Sequence, residues 1–128
     1  MILGLGTDLV AVSRVEAVLR RHRARFLDRV FTAGEQAECL ARARPAVHLA
    51  ARLAAKEAAM KALGSGWGAG VRWQDVEVQS AGGDPPRLML EGAARVRAEA
   101  RGVRQALVSL SHDGEYALAV VVLADSRE

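Results

Sequence analysis

The chain is poor in cysteine, aromatic residues, long apolar runs and lysine, and each shortage excludes something. A single cysteine, Cys39, in 128 residues rules out an internal disulfide and suits a reducing compartment. Lying in a helical segment, Cys39 reads as a small apolar residue. Two tryptophans, one tyrosine and two phenylalanines leave the core to aliphatic side chains and alanine. They are too few for the base-stacking platform of a single-strand nucleic-acid binder. The apolar runs near the C-terminus are too short to span a bilayer, so no membrane association is expected. The stretch Met1–Asp8 has no basic leader or cleavage-type segment, so no secretion signal is read and a cytoplasmic location is expected. The three histidines and one cysteine lack zinc spacing.

Lysine is the most telling shortage. Of eighteen basic residues only Lys56 and Lys61 are lysine. Arginine serves where a solvated positive charge suffices, whereas lysine offers a compact ammonium whose pKa responds to burial. Both lysines flank Glu57 in Arg52-Leu-Ala-Ala-Lys56-Glu57-Ala-Ala-Met-Lys61-Ala-Leu-Gly64-Ser65-Gly66, which marks the segment as the candidate seat of chemistry. The arginines cluster elsewhere: Arg14, Arg20, Arg21, Arg23, Arg25 and Arg29 fall within sixteen residues. With a pI near 9.7, the surface suits an acidic partner, although arginine-rich helix faces are often merely solvated.

Half the residues are apolar and the length suits one globular domain, residues 1–128. Residues 2–9 alternate and contain glycine, as a buried first strand ending near Asp8 would. Val12, Val15, Val18 and Leu19 recur at helical spacing, with Ser13 and Glu16 as a candidate capping box. Thr32-Ala-Gly-Glu35 is a second such signal, opening a helix to about Arg42. After Pro45 an alanine-rich helix runs from about 46 to 63 and ends at Gly64 and Gly66. Val71–Val78 alternates in two partial registers with an irregularity between them. Ala81–Pro86 is a turn cluster, Arg87–Leu90 a short strand, and Glu91–Arg101 a helix closed by Gly102. Gln105–Ser111 and Tyr116–Leu123 read as strands joined by a hairpin at His112-Asp113-Gly114-Glu115. Helices first and mostly antiparallel strands later imply an α+β domain with a long central helix on the sheet.

On the wheel of that helix Leu49, Leu53, Met60 and Leu63 form an apolar stripe that contains Lys56. Glu57 and Lys61 sit side by side on its edge, and the remaining arc is nearly all alanine, which admits another backbone closely. An exposed Glu57–Lys61 pair alone would contribute only about 0.2–0.5 kcal/mol. Lys56 is either a snorkelling stem or a buried or interface lysine that orients the helix. Gly64-Ser65-Gly66 could bring backbone N–H groups to a phosphate, but it is no P-loop, because the lysine precedes the glycines. Asp8 ends a glycine-rich strand, where a carboxylate can hold a hard cation, cap a helix or form an Asx-turn. Oxygen ligands such as Asp8 and Glu57 favour Mg²⁺. His112 opens a hairpin, where a hydrogen-bonded turn histidine is the plainer reading.

These residues resemble the holo-[acyl-carrier-protein] synthases, small bacterial 4′-phosphopantetheinyl transferases. The resemblance runs nearly end to end. It rests on Gly4-Leu-Gly-Thr-Asp8-Leu-Val10 with Arg14, on Phe31-Thr-Ala-Gly-Glu35, and on the Arg52–Gly66 segment. Trp73–Val78, Ser109-Leu-Ser-His112-Asp113 and Tyr116-Ala-Leu-Ala119 complete it. The turn Gly64-Ser65-Gly66 stands where the family commonly has Gly-Thr-Gly, a change that keeps a hydroxyl.

The resemblance implies transfer of the phosphopantetheine arm of coenzyme A to a serine of an acyl carrier protein, with release of adenosine 3′,5′-bisphosphate. Asp8 and Glu57 match the Mg²⁺-binding positions and Lys61 the lysine that meets the pyrophosphate. Gly64, Ser65 and Gly66 form the adjoining turn, Arg52 and His112 match positions near the nucleotide and its 3′-phosphate, and Arg14 matches the arginine that engages the acidic carrier protein. Arg21 and Arg25, on the same arginine-rich segment, extend that docking face. Homotrimers with active sites between subunits are implied as well. The proton acceptor for the serine stays open among Glu57, Asp8 and a metal-bound water. A nucleic-acid partner is not expected, since it leaves Asp8, Glu57 and Lys61 without a role.

Overall fold

A computed structural model of the chain describes residues 1–64, 70–80 and 83–126. Strand β1 (Ile2–Ala11) leads into helices α1 (Val12–Val30), α2 (Ala33–Leu40) and α3 (Pro45–Leu63). A 3-10 turn at Trp73–Asp75 precedes strands β2 (Val76–Gln79) and β3 (Arg87–Leu90). Helix α4 (Gly92–Ala100) and strands β4 (Gln105–His112) and β5 (Tyr116–Ala124) complete the order. The architecture is α+β, with an antiparallel sheet in the order β1-β5-β4 and a separate antiparallel pair β2-β3.

The larger sheet is covered by α3 on one face. The pleat directs Gly4, Gly6, Asp8 and Val10 of β1 toward the helix, along with Ala117, Ala119, Val121 and Leu123 of β5. The expectation of a buried first strand is therefore half wrong. Ile2, Leu5 and Leu9 point the other way and are 65%, 66% and 60% exposed, because α3 covers only one side. Across that outer face lie Tyr116, Leu118 and Leu107, also exposed.

The alanine arc of α3 has a direct consequence. A Cβ on Gly6 would lie 1.9 Å from the Ala58 carbonyl oxygen, and one on Gly4 2.1 Å from that of Ala62. Only a strand without side chains at these positions can lie so close to a helix of small residues. The helix is closed by Gly64 in the left-handed region, φ 74°, whose N–H donates to Met60 and Lys61 carbonyls. Arg101 adds a clamp not read from the sequence: its guanidinium donates to the Leu63 (2.6 Å), Ala62 (3.0 Å) and Leu3 (2.8 Å) carbonyls.

Three sequence expectations need correction. Helix α1 runs on to Val30, interrupted at His22 (φ −141°, ψ 44°), whereas apolar periodicity traced it only to Leu19. The missed part is arginine-rich and buries nothing until Leu27 and Val30, so it carries no apolar stripe to read. Its N-cap is Ala11 with no side-chain cap, and Glu16 lies instead 3.7 Å from Arg44. Of Val71–Val78, only the part from Val76 is strand, the irregularity being the 3-10 turn. Thr32 and Glu35 do form a capping box. Of the turn cluster Ala81–Pro86, the first two residues lie outside the described part.

Gly6→Ala should destabilise the fold by at least about 3 kcal/mol, because the added methyl meets a backbone oxygen that cannot move independently. Chemical denaturation checks this; an unchanged midpoint would show that β1 and α3 separate freely.

Candidate active site

The close approach of β1 to α3 brings Asp8 to the C-terminal half of the helix. Lys61 reaches back across the strand: its ammonium donates to the Thr7 carbonyl at 3.0 Å and to the Asp8 carboxylate at 3.1 Å. Lys61 is more than half exposed and Asp8 one-fifth exposed. Two of the three ammonium donors are thus taken by protein, and the group still faces solvent. Glu57 lies one helical turn before Lys61 on the same face, partly buried. Asp8, Glu57 and Lys61 are therefore presented by two adjoining elements at one place.

The donor set at this place is oxygen only. Among the described residues no group of three or more His, Cys, Asp or Glu side chains is placed to hold a metal ion. Two carboxylates fit a hard cation that keeps water and substrate oxygens, as Mg²⁺ does, rather than one enclosed by protein. Gly64 closes the helix beside Lys61, while Ser65 and Gly66 lie outside the described residues.

Lys56 has a different role. It is fully buried, 2.8 Å from the equally buried Glu35 carboxylate. Its ammonium also donates to the Trp73 carbonyl at 3.1 Å and to the Val76 carbonyl, and lies over the Phe31 ring. Burial pushes its pKa down, while the charge and hydrogen bond of Glu35 pull it back up. Glu35 in turn accepts from the Thr32 and Val78 N–H groups. The pair links α2, α3 and the start of β2 inside the protein, so the lysine in the apolar stripe is the buried, orienting one.

Arg52 and His112 do not join the Asp8 group within the chain. Arg52 is buried and bonded to Glu38 at 2.9 Å, its Nε without a hydrogen-bond partner among the described residues. His112 ends β4, two strands from β1 across β5, or about 10 Å. Its ring instead meets that of His48 on α3, centroids 5.7 Å apart and planes at 75°. His48 precedes Lys61 by thirteen residues, or about 20 Å of helix. Arg42, Arg44, His48, His112 and Asp113 line a shared concavity there. Arg42, Arg44 and His48 escaped the sequence reading; the only available signal was the four-residue spacing of His48 and Arg52. His48 is held below its ordinary pKa first by burial, then by the charges of Arg42, Arg52 and His112.

Arg14, Arg21 and Arg25 are exposed on α1, and among the described residues none forms an ion pair. Cys39 is buried and its thiol pKa is pushed up to about 11, chiefly by burial, as an inert packing residue requires. No helix among the described residues is long and apolar enough to cross a membrane.

Lys56→Met should destabilise the protein by about 3–5 kcal/mol by leaving Glu35 charged and unpaired, whereas Lys61→Met should cost under about 1 kcal/mol. Urea unfolding of the two variants checks this, and equal losses would contradict the division of roles.

Comparison with known proteins identifies the family. A model described as the 4′-phosphopantetheinyl transferase superfamily matches residues 4–121. The holo-[acyl-carrier-protein] synthase of Moorella thermoacetica is 49% identical over 124 residues, covering 97% of this chain and 95% of that protein. The crystal structure of the Neisseria meningitidis holo-[acyl-carrier-protein] synthase superposes with a TM-score of 0.86 at 30% identity, covering 97% of this chain and 99% of that one. The Helicobacter pylori holo-[acyl-carrier-protein] synthase, solved in complex with coenzyme A, gives 0.81 at 28% identity, covering 94% and 99%.

Proposed function

Since the chain belongs to the 4′-phosphopantetheinyl transferase superfamily, we propose that it is a holo-[acyl-carrier-protein] synthase. It transfers the 4′-phosphopantetheine group of coenzyme A to a serine hydroxyl of an apo acyl carrier protein and releases adenosine 3′,5′-bisphosphate. The observation that carries this reading is the meeting of Asp8 and Lys61 across the β1–α3 contact, with Glu57 one turn away.

In the reaction the serine oxygen attacks the phosphorus that bears the pantetheine arm, and the bond to the adenosine bisphosphate oxygen breaks. Such a transfer asks mainly for positioning and for neutralisation of phosphate charge. Lys61, fixed by Thr7 and Asp8 yet open to solvent, aims its remaining N–H at the pyrophosphate. Asp8 and Glu57 would hold Mg²⁺, which when bound supplies further neutralisation of the pyrophosphate oxygens. Either carboxylate also offers the serine proton an acceptor. His112 takes the 3′-phosphate, and Arg52, buried behind His48, supports that end from inside the fold. Gly64, at the end of α3 beside Lys61, adjoins the pyrophosphate.

Arg14, Arg21 and Arg25 form a docking face for the acidic carrier protein, acting chiefly on encounter and orientation. The exposed row Leu5, Leu9, Leu107, Tyr116 and Leu118 on the uncovered sheet face supports assembly into a homotrimer. The separation of His112 from Lys61 supports active sites built between subunits, each taking the two groups from neighbouring copies. A cytoplasmic location follows from the acyl-carrier-protein substrate.

Incubated with coenzyme A, Mg²⁺ and an apo acyl carrier protein, the chain should add one phosphopantetheine mass to the carrier, read by mass spectrometry. No increment on any of several carriers would sink the proposal. Asp8→Asn and Glu57→Gln should each lower turnover at least about 100-fold and raise the Mg²⁺ requirement; Arg14→Glu should raise the KM for the carrier and leave that for coenzyme A unchanged. Leu118→Glu should shift the mass in solution toward the monomer and abolish transfer; an active monomer would refute inter-subunit sites.

A further inference from the structure

The N-terminal half of α3 holds a feature that the transfer chemistry at Lys61 does not use. His112 ends strand β4 with an exposed side chain that makes no hydrogen bond among the described residues. A free imidazole at a strand end samples several orientations about its broad second torsion. What restrains this one is the ring of His48, set edge-to-face at 5.7 Å and 75°. That separation and angle are those preferred by attracting aromatic pairs. His48 is itself restrained. It lies in the second turn of α3, partly buried, and its carbonyl accepts a long hydrogen bond, 3.5 Å, from Arg52 Nη1. Arg52 is held by Glu38. The chain of contact thus runs from an ion pair buried on its Arg52 side, through His48, to an exposed imidazole.

The surroundings say what the oriented imidazole faces. The concavity shared by His48 and His112 is lined by Arg42 and Arg44, with Ala43, Val47, Asp113 and Gly114 completing it. Arg44 is partly committed, since its Nη1 donates to the Gly114 carbonyl at 2.7 Å and its Nη2 lies 3.7 Å from Glu16. Arg42 has no ion-pair partner among the described residues. Asp113 is turned to its own hairpin, where it accepts from the Glu115 and Tyr116 N–H groups. The groups charged or titratable around His48 are therefore Arg42, Arg44, Arg52 with its partner Glu38, His112 and Asp113. Cations dominate, which suits a phosphate.

We infer that His48 is a positioning residue: its ring holds the His112 imidazole toward the concavity it shares with Arg42 and Arg44, so that these groups converge on one phosphate of coenzyme A. This rests on the reading of the chain as a coenzyme A enzyme, and it assigns His48 no contact with the reacting atoms. A neutral ring does this better than a charged one. It offers an edge or face to His112 and adds no further cation to desolvate.

Calorimetric titration of the full chain with coenzyme A tests the inference independently of turnover. His48→Ala should weaken binding about three- to tenfold, and His48→Phe, which keeps the ring, should bind within about twofold of the parent. His48→Leu fills the space without an aromatic edge and should behave like the alanine variant, so the test survives if His48→Ala folds poorly. In a His112→Ala background, His48→Ala should add less than about a further twofold, since its effect passes through His112. An unchanged affinity in both His48→Ala and His48→Leu, or the same loss in either background, overturns the positioning role. If His112→Ala binds like the parent, the assignment of His112 to the nucleotide falls and the His48 role falls with it. If the parent chain itself does not bind coenzyme A, the proposed function fails as well. Failure of the His48 role alone is therefore recognised by a His112→Ala defect that the His48 variants do not share.

Discussion

The structure depends on how closely β1 lies against α3. Two glycines, Gly4 and Gly6, face the carbonyls of Ala62 and Ala58 at distances that leave no room for a side chain. Because the strand is that close, the next residue on the same pleat, Asp8, meets the helix surface rather than standing off it. Lys61 can then span from helix to strand and hold both Thr7 and Asp8. With β1 on one side and α1, α2 and β2 on others, α3 is buried along nearly its whole length. Its alanines are thus a requirement of packing, and its few long polar side chains appear where the packing ends or where a buried partner awaits them.

A helix surfaced by small residues has little to stop it rotating or sliding, since alanine contacts change gradually with position. Lys56 and Glu35 supply the missing directionality. Their pair is fully buried, and the remaining donors and acceptors are satisfied by Trp73, Val76, Thr32 and Val78. Such a pair is weak evidence for added stability, because desolvation offsets most of its Coulomb gain. It is far less tolerant of displacement than an apolar contact, so it fixes the rotation of α3 and hence the direction in which Glu57, the next residue, points. Arg101 does related work at the other end by tying the last carbonyls of α3 to Leu3 of β1. The two lysines thus divide the labour: one sets the helix, the other is presented by it.

Much of this was legible because it is local. The capping box at Thr32, the glycine stop at Gly64, the Asp113-Gly114 hairpin and the placement of Lys56 within the apolar stripe each depend on spacing alone. The alanine arc even announced a close backbone, although not which strand would supply it. What stayed hidden depends on partners distant in sequence. The exposure of Leu5 and Leu9 follows from which face α3 covers, and alternation cannot decide that. The second half of α1 buries too little to show a period. Glu35 reads as a helix-start residue, and its partnership with a lysine twenty-one residues later is invisible without the fold. His48 looks like one polar residue in a helix; only the return of β4 beside α3 gives its ring a neighbour.

Helix α3 also acts as a spacer between two cationic places. Lys61 stands near its C-terminal end, where the helix dipole is unfavourable to an anion, so the ammonium has to provide the attraction there. Arg42, Arg44 and His112 gather near its N-terminal end, where the dipole helps. About 20 Å of helix separates the two, yet the 3′-phosphate and pyrophosphate of coenzyme A are joined through a single ribose. On the proposed reading the two places that meet the nucleotide come from different copies, the N-terminal end of one α3 approaching the C-terminal end of another. The uncovered leucines of β1, β4 and β5 offer a surface through which copies would meet. On the proposed reading, the same close packing that builds the Asp8–Lys61 contact leaves that face bare, so the half-site and the means of completing it have one origin.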